Sequence, residues 1–228
     1  MKLLSIAIFC LTAALSSNVL FADSKAKYPS EWFQEIPRET AKWWEILPQD
    51  AKPGEVILSK RNKLGLLSNF ASTPVVIDGT RYKSLEGFWQ MMKYPEGKDD
   101  PRLSESVNWP HTREEVAQMT SFEAKKAGDI GSKNMKALKI NWVTYQGKKM
   151  TYRTPEKGDH YQVIYSAMWE KLRQNQDVRD VLLRTGNLRL KPDHKQGDNP
   201  PPAWQYHKIY MEMRSKIQKQ PELLKKSI

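Results

Sequence analysis

Three polar side chains, Glu86, Gln90 and Lys93, recur at helical spacing in one apolar segment. Residues at i, i+4 and i+7 share one face of an α-helix, so a carboxylate, an amide and an amine would stand in a row. A carboxylate can take a proton or stabilise positive charge, and an amine can hold an anion or attack an electrophile. From periodicity alone, the simpler interpretation is that this row faces solvent.

The elements that would position this row are predicted from its flanks. Residues 74–82 combine a β-branched run, an Asp78-Gly79 turn and a return strand, which is typical of a β-hairpin. Ser84 can cap a helix that runs from Leu85 to Tyr94, where Pro95 ends it. The hairpin and the helix should therefore place Glu86 in the first turn of the helix, shortly after the hairpin.

The rest of the chain has mainly helical patterns. Helices are predicted after Thr112, from 121 to about 128, and over 129–140, 159–174, 178–185 and 204–218, with short strands at 56–58 and 188–190. Segment 143–158 is interpreted as an inserted loop or a small hairpin. No linker between 56 and 217 is long enough to separate domains, so we predict one α+β domain that is mainly α with a small β-hairpin or sheet.

Composition restricts the function classes. The 228 residues are 39% hydrophobic and 28% charged, which excludes collagen, coiled coils and wholly disordered chains. Walker, Gly-x-Gly-x-x-Gly, Gly-x-Ser-x-Gly and His-Glu-x-x-His motifs are absent. The four histidines lack metal-ligand spacing, so neither a metal site nor a cofactor is predicted. The net charge of +11 makes polyanions and phosphate-bearing small molecules plausible partners.

The N-terminus differs from the remainder. A basic start, an apolar run and a small residue at Ala22 are typical of a secretory signal over 1–22, with a retained anchor as the alternative. We therefore expect an exported protein, periplasmic or secreted, without stable membrane insertion after cleavage. Residues 23–54 would form a Trp- and Pro-rich extension whose aromatics brace or cover the main domain at 55–218, and 219–228 a basic tail.

Several motifs occur in an order that resembles the NADAR family, which contains the YbiA-like N-glycosidases. They are Ser68-Asn69-Phe70, Asp78-Gly79, Tyr82, Glu86-x-Phe88-Trp89-Gln90-x-x-Lys93, Ser121-x-Glu123-Ala124-Lys125-Lys126-x-Gly128, Lys139-Ile140-Asn141-Trp142, the run from Met168 to Gly186, and Met211-x-Met213-Arg214. The resemblance spans about 65–214. It implies a YbiA-like single domain and an enzyme that cleaves the C1′–N bond of a phosphorylated nucleotide-like or ADP-ribosyl substrate, free or in modified nucleic acid.

The resemblance also implies residue roles. Glu86 would stabilise the oxocarbenium-like sugar or activate water, and Lys93 would hold a phosphate or ribose hydroxyl, or attack the sugar as a Schiff-base nucleophile. Gln90 would hydrogen-bond the sugar, and Trp142 would stack on the base. The remaining residues assigned to substrate binding are Ser68, Asn69, Phe70, Trp89 and Asn141.

Two positions differ from the family pattern. Gly87 stands where the family has His, and Asn141 stands where it usually has Asp. These differences favour a second possibility, a non-catalytic module that keeps the fold and binds ADP-ribose or nucleic acid. A third possibility, a basic scaffold for envelope polyanions, is supported only by net charge.

Overall fold

The computed structural model describes residues 27–226, which contain six α-helices and six short strands. The helices are α1 (Leu85–Met91), α2 (Arg113–Ala117), α3 (Ser121–Ala137), α4 (Asp159–Gln174), α5 (Gln176–Arg184) and α6 (Tyr206–Lys219). The strands are β1 (Glu55–Ile57), β2 (Val75–Ile77), β3 (Thr80–Tyr82), β4 (Trp142–Tyr145), β5 (Lys148–Thr151) and β6 (Arg189–Lys191). This composition confirms the predicted α+β class.

The strands form three separate two-stranded pairs. β1 and β6 are parallel, while β2–β3 and β4–β5 are antiparallel hairpins. Asp78 and Gly79 have φ angles of 48° and 79°, as a two-residue hairpin turn requires. Of the two interpretations of segment 143–158, the structure shows the small hairpin for the part up to residue 151, and residues 152–158 form no helix or strand.

Helix α1 lies at the centre of the domain. All seven of its residues are buried, and it packs against α2, α3 and α4. Phe88 and Met92 are fully buried in the same apolar core as Trp169 of α4 and Tyr210 of α6. Because α1 has no solvent-facing side, its polar residues are enclosed by neighbouring helices.

The structure corrects one helix boundary. Residues 121–128 and 129–140 were predicted as two helices, but Ser121–Ala137 is one continuous helix. Gly128, taken as a helix end, lies within α3 and faces α1 at close range. Tertiary packing therefore overrides the local stop signal.

The N-terminal extension forms three short 3₁₀ helices, Ser30–Trp32, Arg38–Thr40 and Pro48–Asp50. Trp32 and Leu47 are buried, and Trp32 belongs to the core of the domain, whereas Trp43 is 85% exposed. The predicted signal segment, 1–22, lies outside the described residues. No helix within 27–226 has the length and apolar character needed to cross a membrane.

Candidate active site

Glu86 is placed by hydrogen bonds at the start of α1. Its backbone N–H donates to the Asn69 carbonyl at 2.9 Å. Ser84 Oγ accepts from the Gly87 N–H at 3.0 Å and donates to the Met119 carbonyl at 2.9 Å, as expected for the predicted N-cap. These contacts fix the first turn between the 68–70 segment and α2.

The polar row of α1 is buried, which overturns the solvent-facing interpretation. Glu86, Gln90 and Lys93 are only 6%, 7% and 4% exposed. Gln90 Nε2 donates to Glu86 Oε1 at 2.7 Å, whereas Gln90 Oε1 is buried with no hydrogen-bond partner in 27–226. Among these residues Glu86 makes no ion pair, so its carboxylate is oriented by an amide and not neutralised by a salt bridge.

Two glycines of α3 make room for this row. A Cβ at Gly128 would lie 1.8 Å from Gln90 Oε1, and one at Gly131 would lie 3.0 Å from Lys93 Cβ. Because neither glycine has a side chain, α1 and α3 approach closely enough to enclose polar groups between them.

Lys93 is held inside the helix packing. Its Nζ donates to the Gly128 carbonyl at 3.0 Å and to Ser132 Oγ at 2.8 Å, and it lies 5.4 Å from the centre of the Tyr152 ring. An ammonium buried between two helices is poorly placed to hold a phosphate group that lies at the rim of the site, where the site meets the protein surface. It is better placed to act on Glu86 or on a sugar that enters beside it.

Burial shifts the pKa of both candidate catalytic groups. Desolvation raises the pKa of Glu86, although the Gln90 hydrogen bond and the Lys93 charge oppose part of the rise. Desolvation also lowers the pKa of Lys93, opposed in part by Tyr152 and Glu86. Both shifts favour the uncharged form of the group, and perturbed pKa values of this kind are typical of functional sites.

The predicted Ser68-Asn69-Phe70 turn lies against α1. A buried ammonium, Lys171, donates to the Ser68 carbonyl at 2.8 Å, and burial lowers the pKa of this lysine to about 7. Ser68 Oγ accepts from the Phe70 N–H at 3.2 Å, so it shapes the turn. Asn69 Oδ1 is buried without a hydrogen-bond partner in the described chain, which leaves an acceptor available beside Glu86.

An aromatic surface continues from this turn. Phe70 meets Phe122 edge to face at a centroid distance of 5.2 Å, and Phe122 lies 6.4 Å from Trp44. Phe122 is 52% exposed, which is unusual for a large apolar side chain. Lys60 lies 5.2 Å from the Phe70 ring centre, and its charge also acts on Glu86. We refer to Trp44, Phe70 and Phe122 as the aromatic surface.

Trp89 lies on the opposite side of the row. Its ring meets His160 at 5.3 Å, and His160 meets Tyr152 at 5.2 Å, both edge to face. Burial, aided by the Lys93 charge, lowers the pKa of His160 to about 4. This enclosed stack supports the Lys93 side of the site, and Trp89, 7% exposed, offers little surface to a ligand.

Asn141 and Trp142 are not brought to Glu86 by any described contact. Trp142 begins β4, with the Arg102 guanidinium 4.9 Å and the Lys149 ammonium 4.4 Å from its ring centre. Asn141 is exposed, and its carbonyl accepts from the Tyr152 N–H at 2.7 Å. Stacking of a base on Trp142 would have to compete with two cations already on the ring.

A separate cavity of about 850 Å³ lies between the two hairpin turns and α4. Its lining includes Asp78, Tyr145, Asp159 and Arg173, and excludes Glu86, Gln90 and Lys93. No group of three His, Cys, Asp or Glu suited to a metal occurs among residues 27–226. Because the lining of the cavity does not include the Glu86 row, the candidate site and the cavity are distinct.

Several site residues escaped the sequence analysis. Tyr152, His160, Phe122, Lys60 and Trp44 are distant from α1 in sequence and carry no motif that points to it. The Gly128-x-x-Gly131 spacing was a usable signal, because glycines three residues apart share a helix face and permit close approach.

Comparison with known proteins gives two matches. The model of the family described as bacteriophage protein GP30.3 matches residues 61–199. Among solved structures, the chain is similar to the NMR structure of E. coli YbiA, with a TM-score of 0.45 and 20% identity, over 82% of this chain and 95% of that chain. At this identity and TM-score, no residue role follows from the match. No curated protein matches the chain.

Proposed function

Since the chain belongs to the bacteriophage protein GP30.3 family, we propose that this member is an N-glycoside hydrolase that cleaves the C1′–N bond of a phosphorylated nucleotide-like or ADP-ribosyl substrate. The supporting observation is a buried carboxylate, Glu86, that is oriented by Gln90 and has a raised pKa. The raised pKa makes this carboxylate a stronger base than a carboxylate in water, and its effect on a developing positive charge is larger in a site of low dielectric constant.

The proposed reaction is a hydrolysis. Water oxygen bonds to C1′ while the C1′–N bond breaks, and the bonding electron pair goes to the base nitrogen, which takes up a proton from solvent. Glu86 accepts the proton of the attacking water and stabilises the positive charge that develops on the sugar. The proton that Glu86 receives from the attacking water returns to solvent after the products leave. In its protonated form the Lys93 amine, hydrogen-bonded to the Gly128 carbonyl, lowers the pKa of Glu86 and so adjusts the proton affinity of the carboxylate.

The substrate parts can be assigned to the surfaces around Glu86. The unpartnered Asn69 Oδ1 can accept a hydrogen bond from a ribose hydroxyl. The aromatic surface offers ring faces and edges to a planar base. Its exposed member, Phe122, would lose contact with water on binding.

The test compares the purified protein with its Glu86→Gln variant. Each is incubated with ADP-ribosylated guanosine DNA, NAD, ADP-ribose and a ribosylamino-pyrimidine phosphate, and released base is measured by chromatography. We expect release by the wild-type protein and a loss of at least a hundredfold in the variant, whose amide keeps the shape of the carboxylate. Equal release by both proteins would exclude Glu86 as the catalytic group.

A binding module is the second candidate function. It is favoured by the slight exposure of Glu86, at 6%, and by the exposed Asn141, which supplies neither an acid nor a base to the site. This function predicts that wild type and Glu86→Gln bind ADP-ribose with similar affinity and that neither releases base. Salt-sensitive retention on any polyanion, without competition by nucleotides, would instead support the scaffold function.

Export is proposed as well, on the sequence pattern of residues 1–22. Cell fractionation and N-terminal sequencing of the expressed protein test it, with a new N-terminus at residue 23 as the expected result. An intact N-terminus in the cytoplasmic fraction would contradict it.

A further inference from the structure

The inserted segment after β5 places an arginine beside the candidate site. Arg153 follows Tyr152, whose ring lies 5.4 Å from Lys93 Nζ. The Arg153 guanidinium is 5.2 Å from the Tyr152 ring centre and 5.0 Å from that of Trp204, so two aromatic rings hold it. Its charge lowers the pKa of Lys93, which shows that it is within electrostatic range of the site.

This guanidinium has no anionic partner. Arg153 forms no ion pair with any acidic side chain in residues 27–226, and it is exposed to solvent. Two other basic groups of this region do have one: Lys60 pairs with Asp193 at 2.5 Å, and Lys125 pairs with Asp129. The buried Lys93 and Lys171 instead donate to backbone carbonyls. Arg153 therefore keeps its full set of donors for a ligand.

The backbone of Arg153 is also unusual. It has a φ of 62°, in the left-handed region that side chains with a Cβ adopt at a cost. The other described non-glycine residues with positive φ lie in the hairpin turns (Asp78 and Gln146) or at the ends of α3 (Ser121 and Lys139). No such turn or helix end explains Arg153, and strained residues of this kind cluster at ligand sites.

We propose that Arg153 binds the phosphate group of the ligand, so that the inserted hairpin segment completes the site. This inference rests on the proposed function, because it names the group that holds the phosphate of the same substrate. A planar guanidinium kept in place by two rings can donate two parallel hydrogen bonds to phosphate oxygens with little loss of side-chain entropy. Lys93, buried between α1 and α3, cannot do this at the rim.

The test measures binding by calorimetry in the Glu86→Gln background, so that turnover does not consume the ligand. ADP-ribose, adenosine and inorganic pyrophosphate are the probes. Arg153→Gln should weaken ADP-ribose and pyrophosphate binding roughly tenfold or more and leave adenosine binding unchanged. Arg81→Gln, an equal charge change at an exposed arginine of β3, is the matched control and should change none of the three.

A second variant separates binding from folding. Arg153→Gly removes the guanidinium and relieves the left-handed backbone, so it should lose phosphate binding without any fall in melting temperature. Unchanged ADP-ribose affinity in both Arg153 variants, or no ADP-ribose binding by the parent protein, would overturn the proposal. If Arg153 is required for binding while wild type releases no base, the phosphate site stands and the hydrolase function fails. If wild type releases base and Arg153→Gln has an unchanged KM, the hydrolase function stands and the phosphate site at Arg153 fails.

Discussion

The Gln90 side chain of α1 occupies the space that a side chain at Gly128 of α3 would need, since a Cβ at position 128 would lie 1.8 Å from Gln90 Oε1 and 2.1 Å from Gln90 Cδ. Gln90 in turn donates the described hydrogen bond that orients the Glu86 carboxylate. A helix glycine therefore controls the position of a candidate catalytic group on another helix.

Gly128→Ala tests this relationship. The methyl group would force Gln90 away from Glu86, and overpacking of this kind costs about 1–3 kcal/mol, offset by about 1 kcal/mol from the better helix propensity of alanine. We expect modest destabilisation and a loss of base release that is larger than the loss of stability explains. Gly197→Ala is the control, because a Cβ there meets nothing within 4 Å. Similar activity in both variants would show that Gln90 does not orient Glu86.

Gly87→Ala addresses the position where the family pattern has His. A Cβ at Gly87 would lie 2.5 Å from the Met119 carbonyl and 2.9 Å from the Ala117 carbonyl. Backbone carbonyls cannot rotate out of the way as a side chain can. We therefore expect the free energy of unfolding, measured by urea denaturation, to fall by about 1–3 kcal/mol or more. A neutral effect would mean that α1 and α2 can separate at no cost.

Local elements of this fold could be predicted because their signals are local. The Asp78-Gly79 turn, the Ser84 cap and the helix over 159–174 each depend on neighbouring residues, and each was found where predicted. The burial of the Glu86 row was not predictable in this way. It depends on α3 crossing α1 with Gly128 and Gly131 at the contact, and the helical period of α1 alone cannot distinguish a polar face in solvent from one against another helix.

The candidate site also contains residues that local motifs predict and residues that only tertiary packing brings there. Glu86, Gln90, Lys93 and Asn69 were placed by motif order, and the structure brings them together. Arg153 and Phe122 reach the site only through tertiary folding of an inserted hairpin and of the α3 start. Trp142 shows the converse, because an aromatic residue in a matching motif has its ring engaged by two cations.

Stability should fall on acidification because of His160. Its folded pKa of about 4 lies below the unfolded value of about 6.5, so the unfolded chain binds more protons between these two pH values. The stabilisation that depends on neutral His160 is fully present above pH 6.5 and is lost as the pH falls towards 4, and its size is about 3 kcal/mol. Glu86, whose folded pKa is raised, contributes in the opposite direction.

His160→Phe isolates this contribution. Phenylalanine keeps an aromatic ring between Trp89 and Tyr152 but cannot bind a proton. Urea denaturation at pH 7 and pH 5 should show a smaller decrease for the variant than for the wild type, while His111→Asn, in the loop before α2, should retain the wild-type decrease. An identical pH dependence in wild type and His160→Phe would contradict a buried neutral imidazole.

Phe122→Ala tests the aromatic surface as a base-binding site. Phe122 is 52% exposed, so truncation should leave the fold almost unchanged, whereas loss of stacking on a base costs about 1–3 kcal/mol. We therefore expect adenosine to bind at least fivefold more weakly by calorimetry. Leu103→Ala is the matched control at 53% exposure.

A second pair of variants tests the same surface. Trp44→Ala should weaken adenosine binding as Phe122→Ala does, and Trp43→Ala, at an 85% exposed neighbour, should leave it unchanged. Equal adenosine affinity in all four variants would exclude this surface as the base-binding site.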